Sequence, residues 1–207
     1  FYGEEKMNND FIRTYHGVID DKKCAELIEK FEQDVENHKV QQTYEPLEPS
    51  NRNVTENPYL PFGATLTQIH LLHSPDTLWK DDAKFLIDRI MAQVEKYKND
   101  INIEPYQWPQ KFSIEPPKMK RYLPNTADEF PSHVDVLDYK TARRFLVAFL
   151  YLDDNVRGET RFPLQDTEVS CTKGSLVLFP PLWPWIHSGA QPVDKPKYII
   201  GTYLHYV

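Results

Sequence analysis

With 207 residues, 40% hydrophobic and 27% charged, the chain is long enough to bury a substantial core and reads as one domain, 1–207. A net charge of −7 with no stripe of Lys and Arg excludes the electrostatic footprint of a nucleic-acid binder. No run of 18 apolar residues occurs, so no transmembrane helix or membrane partner is expected, and the expected setting is soluble and cytoplasmic. The 17 prolines, 7 glycines and 13% aromatic content favour strands, turns and loops over a helical bundle. Cys24 and Cys171 are expected to be buried free thiols, and no C-x-x-C offers a zinc site. The chain opens on Phe1, so a segment upstream is expected to have been removed.

Residues 11–19 read as a strand. Asp20 and Asp21 can cap the helix that follows, in which Cys24, Leu27, Ile28, Phe31 and Val35 recur at spacings of three and four. Residues 41–64 change character. Four prolines and three asparagines lie among aromatics with no period, which predicts a long loop, either a lid or a surface excursion. A second helix is predicted from about 75 to 98, its buried stripe formed by Leu86, Ile87, Ile90, Met91, Val94 and Tyr97. His70 and His73 precede it and read as structural, because no carboxylate stands at ligand spacing. From Trp108 onward short strands are predicted at 118–122, 132–136, 144–152, 160–162, 168–171, 175–179, 185–187 and 198–206. Strands of this length and spacing predict a sandwich or barrel, with 1–110 supplying supporting helices and loop, and 111–207 the β core. No internal repeat is present.

The chemistry concentrates in that second half. His133 and Asp135 stand two apart, which on a strand aims both side chains to one face and at one metal ion. A third ligand must come from elsewhere, and His187, after the run LWPWI, is the best candidate. Two imidazoles and a carboxylate leave adjacent positions open on an octahedral ion, as in non-haem Fe(II) oxygenases. A hydrolytic zinc site is the competitor, but no H-E-x-x-H helix appears. Lys197 follows His187 by ten positions and leads the apolar run YIIGTY. A turn at Pro192 would return it to the same cavity, where a buried ammonium calls for an anionic partner. A dicarboxylate chelating the metal by its other end would provide one.

The combination of His133-x-Asp135, RFLVAFLYL at 144–152, GET-x-FP at 158–163, KGSLVLFP at 173–180, and His187 with Lys197 resembles the Fe(II)- and 2-oxoglutarate-dependent dioxygenases, in the prolyl 4-hydroxylase-like branch. The resemblance covers 119–207, and the opening strand and helix also fit. It implies a mainly β fold with supporting α-helices, a double-stranded β-helix of the jelly-roll or cupin type. It implies His133, Asp135 and His187 as iron ligands, and Lys197 on the distal carboxylate of 2-oxoglutarate, where many relatives have Arg. Tyr151 falls where relatives bond that carboxylate, Tyr122 near the metal-chelating end, and Arg144 near the peptide substrate. The implied reaction is hydroxylation of an unactivated C–H, with peptidyl proline as first choice, consuming O2 and releasing succinate and CO2, with ascorbate as a candidate reductant. A free amino acid or other small molecule is the alternative substrate, and a metal-binding jelly roll without oxygenase activity the alternative function. The turn 157–160 has one glycine where the family has two, and the segment between Asp135 and Arg144 is shorter than in peptide hydroxylases.

Overall fold

A computed structural model describes residues 11–38, 66–72, 77–125 and 127–207. The predicted loop at 41–64 and His73 lie outside them.

Strand β1 is Arg13–Tyr15, shorter than expected, and leads to helix α1, Asp21–His38. Asp20 is the N-cap: its Oδ1 accepts the Lys23 backbone N–H at 2.7 Å. Strand β2, Thr67–His70, carries His70 on a strand, and helix α2 spans Lys80–Asp100. There follow β3 Phe112–Ile114, β4 Lys118–Tyr122, β5 Phe130–His133, β6 Arg144–Tyr151, β7 Thr160–Phe162, β8 Thr167–Val169, β9 Leu176–Phe179, β10 His187–Gly189 and β11 Lys197–Tyr206.

These strands make two sheets. The larger runs β1-β9-β6-β11-β4-β2, with β3 pairing β11, and the smaller runs β5-β10-β7-β8. All pairings are antiparallel. Side-chain parity divides the large sheet into two faces. Leu146, Ala148 and Leu150 of β6, with Ile200 and Leu204 of β11, pack outward in one cluster with Leu27 and Phe31 of α1 and with Leu86, Ile90 and Val94 of α2. Each such buried aliphatic side chain contributes about 1.5–3 kcal/mol relative to exposure. The opposite parity, Val147 and Tyr151 of β6 and Ile199 of β11, packs with Phe162 and Val169 of the small sheet. The helices are tied to each other by Trp79 Nε1, which donates to Asp34 Oδ2 at 2.7 Å, and by Lys23 and Lys30, which both pair with Asp82. Cys24 and Cys171 are both free and buried.

The register of the large sheet sets up the site. Lys197 pairs with Tyr122, Ile199 with Lys120 and Gly201 with Lys118 on one side of β11. On the other side Ile199 pairs with Tyr151 and Gly201 with Phe149. Odd-numbered residues of β11 and even-numbered residues of β4 therefore share the face that looks toward the small sheet.

Candidate active site

His133 and His187 stand opposite each other on the paired strands β5 and β10. His187 begins its strand instead of ending one, because Trp183–Trp185 forms a 3-10 turn with a proline in its first turn. Asp135 departs from the expectation that it shares a strand with His133. The strand stops at His133, and the Asp135 backbone N–H bonds the Pro181 carbonyl at 3.2 Å outside either sheet ladder. The three side chains nonetheless converge. His133 Nε2 lies 3.7 Å from Asp135 Oδ1, and His187 Nε2 lies 3.4 Å from Asp135 Oδ2. One ligand atom from each residue falls within 4.8 Å of the others.

The surroundings fix the protonation of this cluster. His133 Nδ1 faces the Pro131 carbonyl at 2.8 Å, and His187 Nδ1 faces the Trp185 carbonyl at 3.0 Å. A carbonyl only accepts, so Nδ1 carries the proton in both rings and Nε2 presents a lone pair. Burial lowers the His187 pKa to about 4, which keeps the ring neutral. Burial alone would raise the Asp135 pKa. The neighbouring His187 and His133 and the hydroxyl of Tyr203 outweigh it, and hold the carboxyl far below the usual range. Asp135 Oδ2 and His187 Nε2 are buried without a hydrogen-bond partner. Two imidazoles with Nε2 turned inward and a carboxylate, with Asp135 Oδ2 and His187 Nε2 unpartnered, fit a borderline divalent cation.

Lys197 enters the same cavity at 3% exposure. Its Nζ donates to the carbonyls of Gly158 at 3.0 Å and Ala190 at 3.2 Å, and sits 4.5 Å from the centre of the Tyr122 ring. Burial lowers its pKa, only partly opposed by Cys171 and Glu159. No ion pair balances the ammonium among the described residues. Gly158 makes the approach possible: its φ is +84°, and a Cβ there would lie 3.1 Å from Lys197 Cδ. Arg157, beside it, adopts φ +64°, so a non-glycine residue holds a left-handed conformation at the turn. Tyr151 and Tyr122 both line the cavity, and the Tyr151 hydroxyl lies 2.6 Å from Thr160 Oγ1.

Arg144 is placed differently from the expectation of substrate contact. It does not line the cavity. Its guanidinium makes a two-pronged contact with Glu115, Nε at 2.7 Å and Nη2 at 2.9 Å, and Nη1 donates to the Asp135 carbonyl at 3.1 Å. It also lies over the Tyr203 ring at 3.9 Å. Tyr203 in turn donates its hydroxyl to Asp135 Oδ1 at 2.8 Å. Arg144, Glu115 and Tyr203 thus hold Asp135 by its main chain and its side chain. Glu115 and Tyr203 escaped the sequence reading, since each acts through contacts distant in sequence; only the cavity-facing parity of β11 pointed to Tyr203. Lys118 and Lys120 were also missed, although the alternation KMKRY places them on the cavity face beside Tyr122.

No family model matches the sequence, and no curated protein matches it. Solved structures do match. A viral collagen prolyl hydroxylase from Paramecium bursaria Chlorella virus-1, in its 2-oxoglutarate complex, superposes with a TM-score of 0.63 at 17% identity, over 96% of this chain and 98% of that one. The fold is that of the prolyl hydroxylases. A Pseudomonas putida prolyl-4-hydroxylase gives 0.59 at 15% identity, over 95% and 93% of the two chains. A Trichoplax adhaerens prolyl hydroxylase, in complex with a hypoxia-inducible-factor peptide, gives 0.63 at 12% identity, over 97% and 86%. The two sheets are accordingly the walls of the double-stranded β-helix that prolyl hydroxylases share. No helix among the described residues is long and apolar enough to cross a membrane.

Proposed function

We propose that this chain is an Fe(II)- and 2-oxoglutarate-dependent dioxygenase that hydroxylates an unactivated C–H bond, with peptidyl proline as the first-choice substrate. One observation carries the reading: a His-Asp-His cluster whose inward Asp135 Oδ2 and His187 Nε2 are unpartnered shares one cavity with an ammonium that has no ion pair. In it His133, Asp135 and His187 are the iron ligands, and Lys197 takes the distal carboxylate of 2-oxoglutarate, with Tyr151 and Tyr122 alongside. Iron and 2-oxoglutarate held there would supply the O2-activating chemistry, with the co-substrate leaving as succinate and CO2.

The chain's own part is positioning and exclusion of water. The Nδ1–H bonds to Pro131 and Trp185 orient both imidazoles before any ion arrives. Tyr203 and Arg144 fix Asp135, so the carboxylate offers Oδ2 in one direction. The rings of Phe162 and Phe179, with centroids 5.7 Å and 4.9 Å from that of His187, shield it from water. Lys197 anchors a diacid at a fixed distance from the cluster, which makes the reaction effectively unimolecular in that partner. No side chain has to act as general base. Glu159 pairs with Arg161, and Asp153 with Lys173 and Lys195, in keeping with structural roles.

Peptidyl proline is supported by likeness alone, to a collagen prolyl hydroxylase and to one seated on a peptide. The test is succinate release from the full chain loaded with Fe(II), with ascorbate as reductant, 2-oxoglutarate and prolyl peptide pools. O2-dependent succinate, and peptides heavier by one oxygen, are expected. His133→Ala should abolish both along with iron binding. No succinate from the native chain, or iron binding unchanged in that variant, would overturn the reading.

A further inference from the structure

Strand β4 presents Lys118, Lys120 and Tyr122 to the cavity, where its neighbour β11 presents Gly201, Ile199 and Lys197. Lys120 and Lys118 stand two and four residues from Tyr122, about 7 Å and 13 Å along the strand at its usual rise. The stripe therefore starts beside the Lys197 anchor and runs toward the imidazoles: Lys118 is level with Gly201 and Phe149, and the Phe149 ring lies 6.1 Å from that of His187. Lys120 holds its ammonium 5.2 Å from the centre of the Phe130 ring, whose centre lies 4.3 Å from that of the tilted His133 ring. The carboxylate that acts on Lys120 is Asp135, whose oxygens already face Tyr203 and the imidazoles. Burial, with Lys118 adding repulsion, brings the Lys120 pKa down to about 8, so the charge is retained at neutral pH against a desolvation penalty.

Among the described residues that line the cavity, Lys120 and Lys197 share one carboxylate, Asp135. A divalent ion and a doubly charged diacid cancel each other, and Asp135 offsets one ammonium, so Lys120 and Lys197 together keep one positive charge in excess. A partly apolar cavity holds unbalanced charge poorly.

We infer that the substrate to be oxidised carries a carboxylate, held by Lys120 with Lys118 beside it, and that this stripe selects acidic over neutral substrates. The inference rests on the dioxygenase reading above and specifies its substrate class. It makes one end of the substrate an anion, and places the reacting C–H between that end and the His-Asp-His cluster.

The experiment is calorimetric titration of the full chain loaded with Mn(II) and N-oxalylglycine, a diacid that does not turn over. The probes are matched pairs: N-acetylproline and its amide, N-acetylglutamate and N-acetylglutamine, and blocked prolyl dipeptides with Glu or Gln beside the proline. In at least one pair the acid is expected to bind about tenfold more tightly than its neutral mate. That preference should vanish in Lys120→Gln and survive in Lys120→Arg. A panel in which no acid outbinds its mate overturns the inference, as does a preference that persists in Lys120→Gln. If Lys120→Gln weakens N-oxalylglycine and leaves the preference intact, the lysine belongs to the co-substrate and the inference falls. Failure of Mn(II) or N-oxalylglycine to bind brings down the dioxygenase reading as well. Binding of both with a flat panel brings down the inference alone.

Discussion

Two buried cations stand on neighbouring strands of the large sheet, and the chain treats them in opposite ways. Arg144, 6% exposed, is matched from within: both carboxylate oxygens of Glu115, the Asp135 carbonyl and the face of Tyr203 surround it. Lys197, 3% exposed, meets two neutral carbonyls and an aromatic ring. A buried charge satisfied by its own chain belongs to the architecture, and one left short of an anion is arranged for something that arrives. The sequence suggested a substrate contact for Arg144. The structure places its guanidinium behind Asp135, holding that residue in position.

This contrast predicts the largest separation between two similar substitutions. Arg144→Met should destabilise the fold by about 3 kcal/mol, because Glu115 is left half-buried and without its cation. Lys197→Met should leave stability within about 1 kcal/mol of the native chain, yet weaken 2-oxoglutarate binding by about a hundredfold or more. Urea unfolding and calorimetry on both variants measure the two effects. Equal destabilisation by both would erase the distinction.

Acid should reveal the neutral His187. Its folded pKa, about 4, lies below the unfolded value of about 6.5, so the unfolded chain binds more protons between them. Stability of the metal-free protein is thus full above about pH 6.5, and falls by on the order of 3 kcal/mol as pH drops to about 4. Asp135 adds to the loss at still lower pH, since its folded pKa is also depressed. Unfolding curves across this range, repeated on His187→Leu, check the assignment, for the variant should show a shallower slope.

Smaller effects probe the supports. Tyr203→Phe removes the hydroxyl on Asp135 Oδ1 and should weaken metal binding by about tenfold, with little change in fold stability. Titration with Mn(II) would measure it, and an unchanged affinity would reduce Tyr203 to a packing role. Arg157→Gly relieves a left-handed arginine and should raise stability by about 0.5–1 kcal/mol in thermal unfolding.

Much of the fold was legible because its long strands are continuous apolar runs. β6 and β11 read as strands on that ground, and the expected turn at Pro192 returned Lys197 to the cavity. α1 announced its cap and its stripe, and β4 was read to the residue. β2 and β3, four and three residues long, were missed, since so few residues carry no period. The helix predicted from 75 begins at Lys80, after a short 3-10 turn at 77–79. At the site, residue types and spacings brought together His133, Asp135, His187 and Lys197, but the geometry behind them was not readable. Asp135 reaches the cluster from beyond a strand end, held by Pro181, Arg144 and Tyr203, none of them near it in sequence. The double role of the KMKRY alternation, core on one face and charged cavity wall on the other, appears only once β11 is paired beside it.

The most direct test of the central claim is anaerobic spectroscopy of the Fe(II)-loaded full chain titrated with 2-oxoglutarate. An α-keto acid that chelates Fe(II) through its keto oxygen and carboxylate gives a visible charge-transfer band. The account predicts that this band forms in the native chain, is absent in His187→Ala, and requires far more 2-oxoglutarate in Lys197→Met. A native chain that binds Fe(II) and develops no band, or a Lys197→Met titration that overlays the native one, would contradict it.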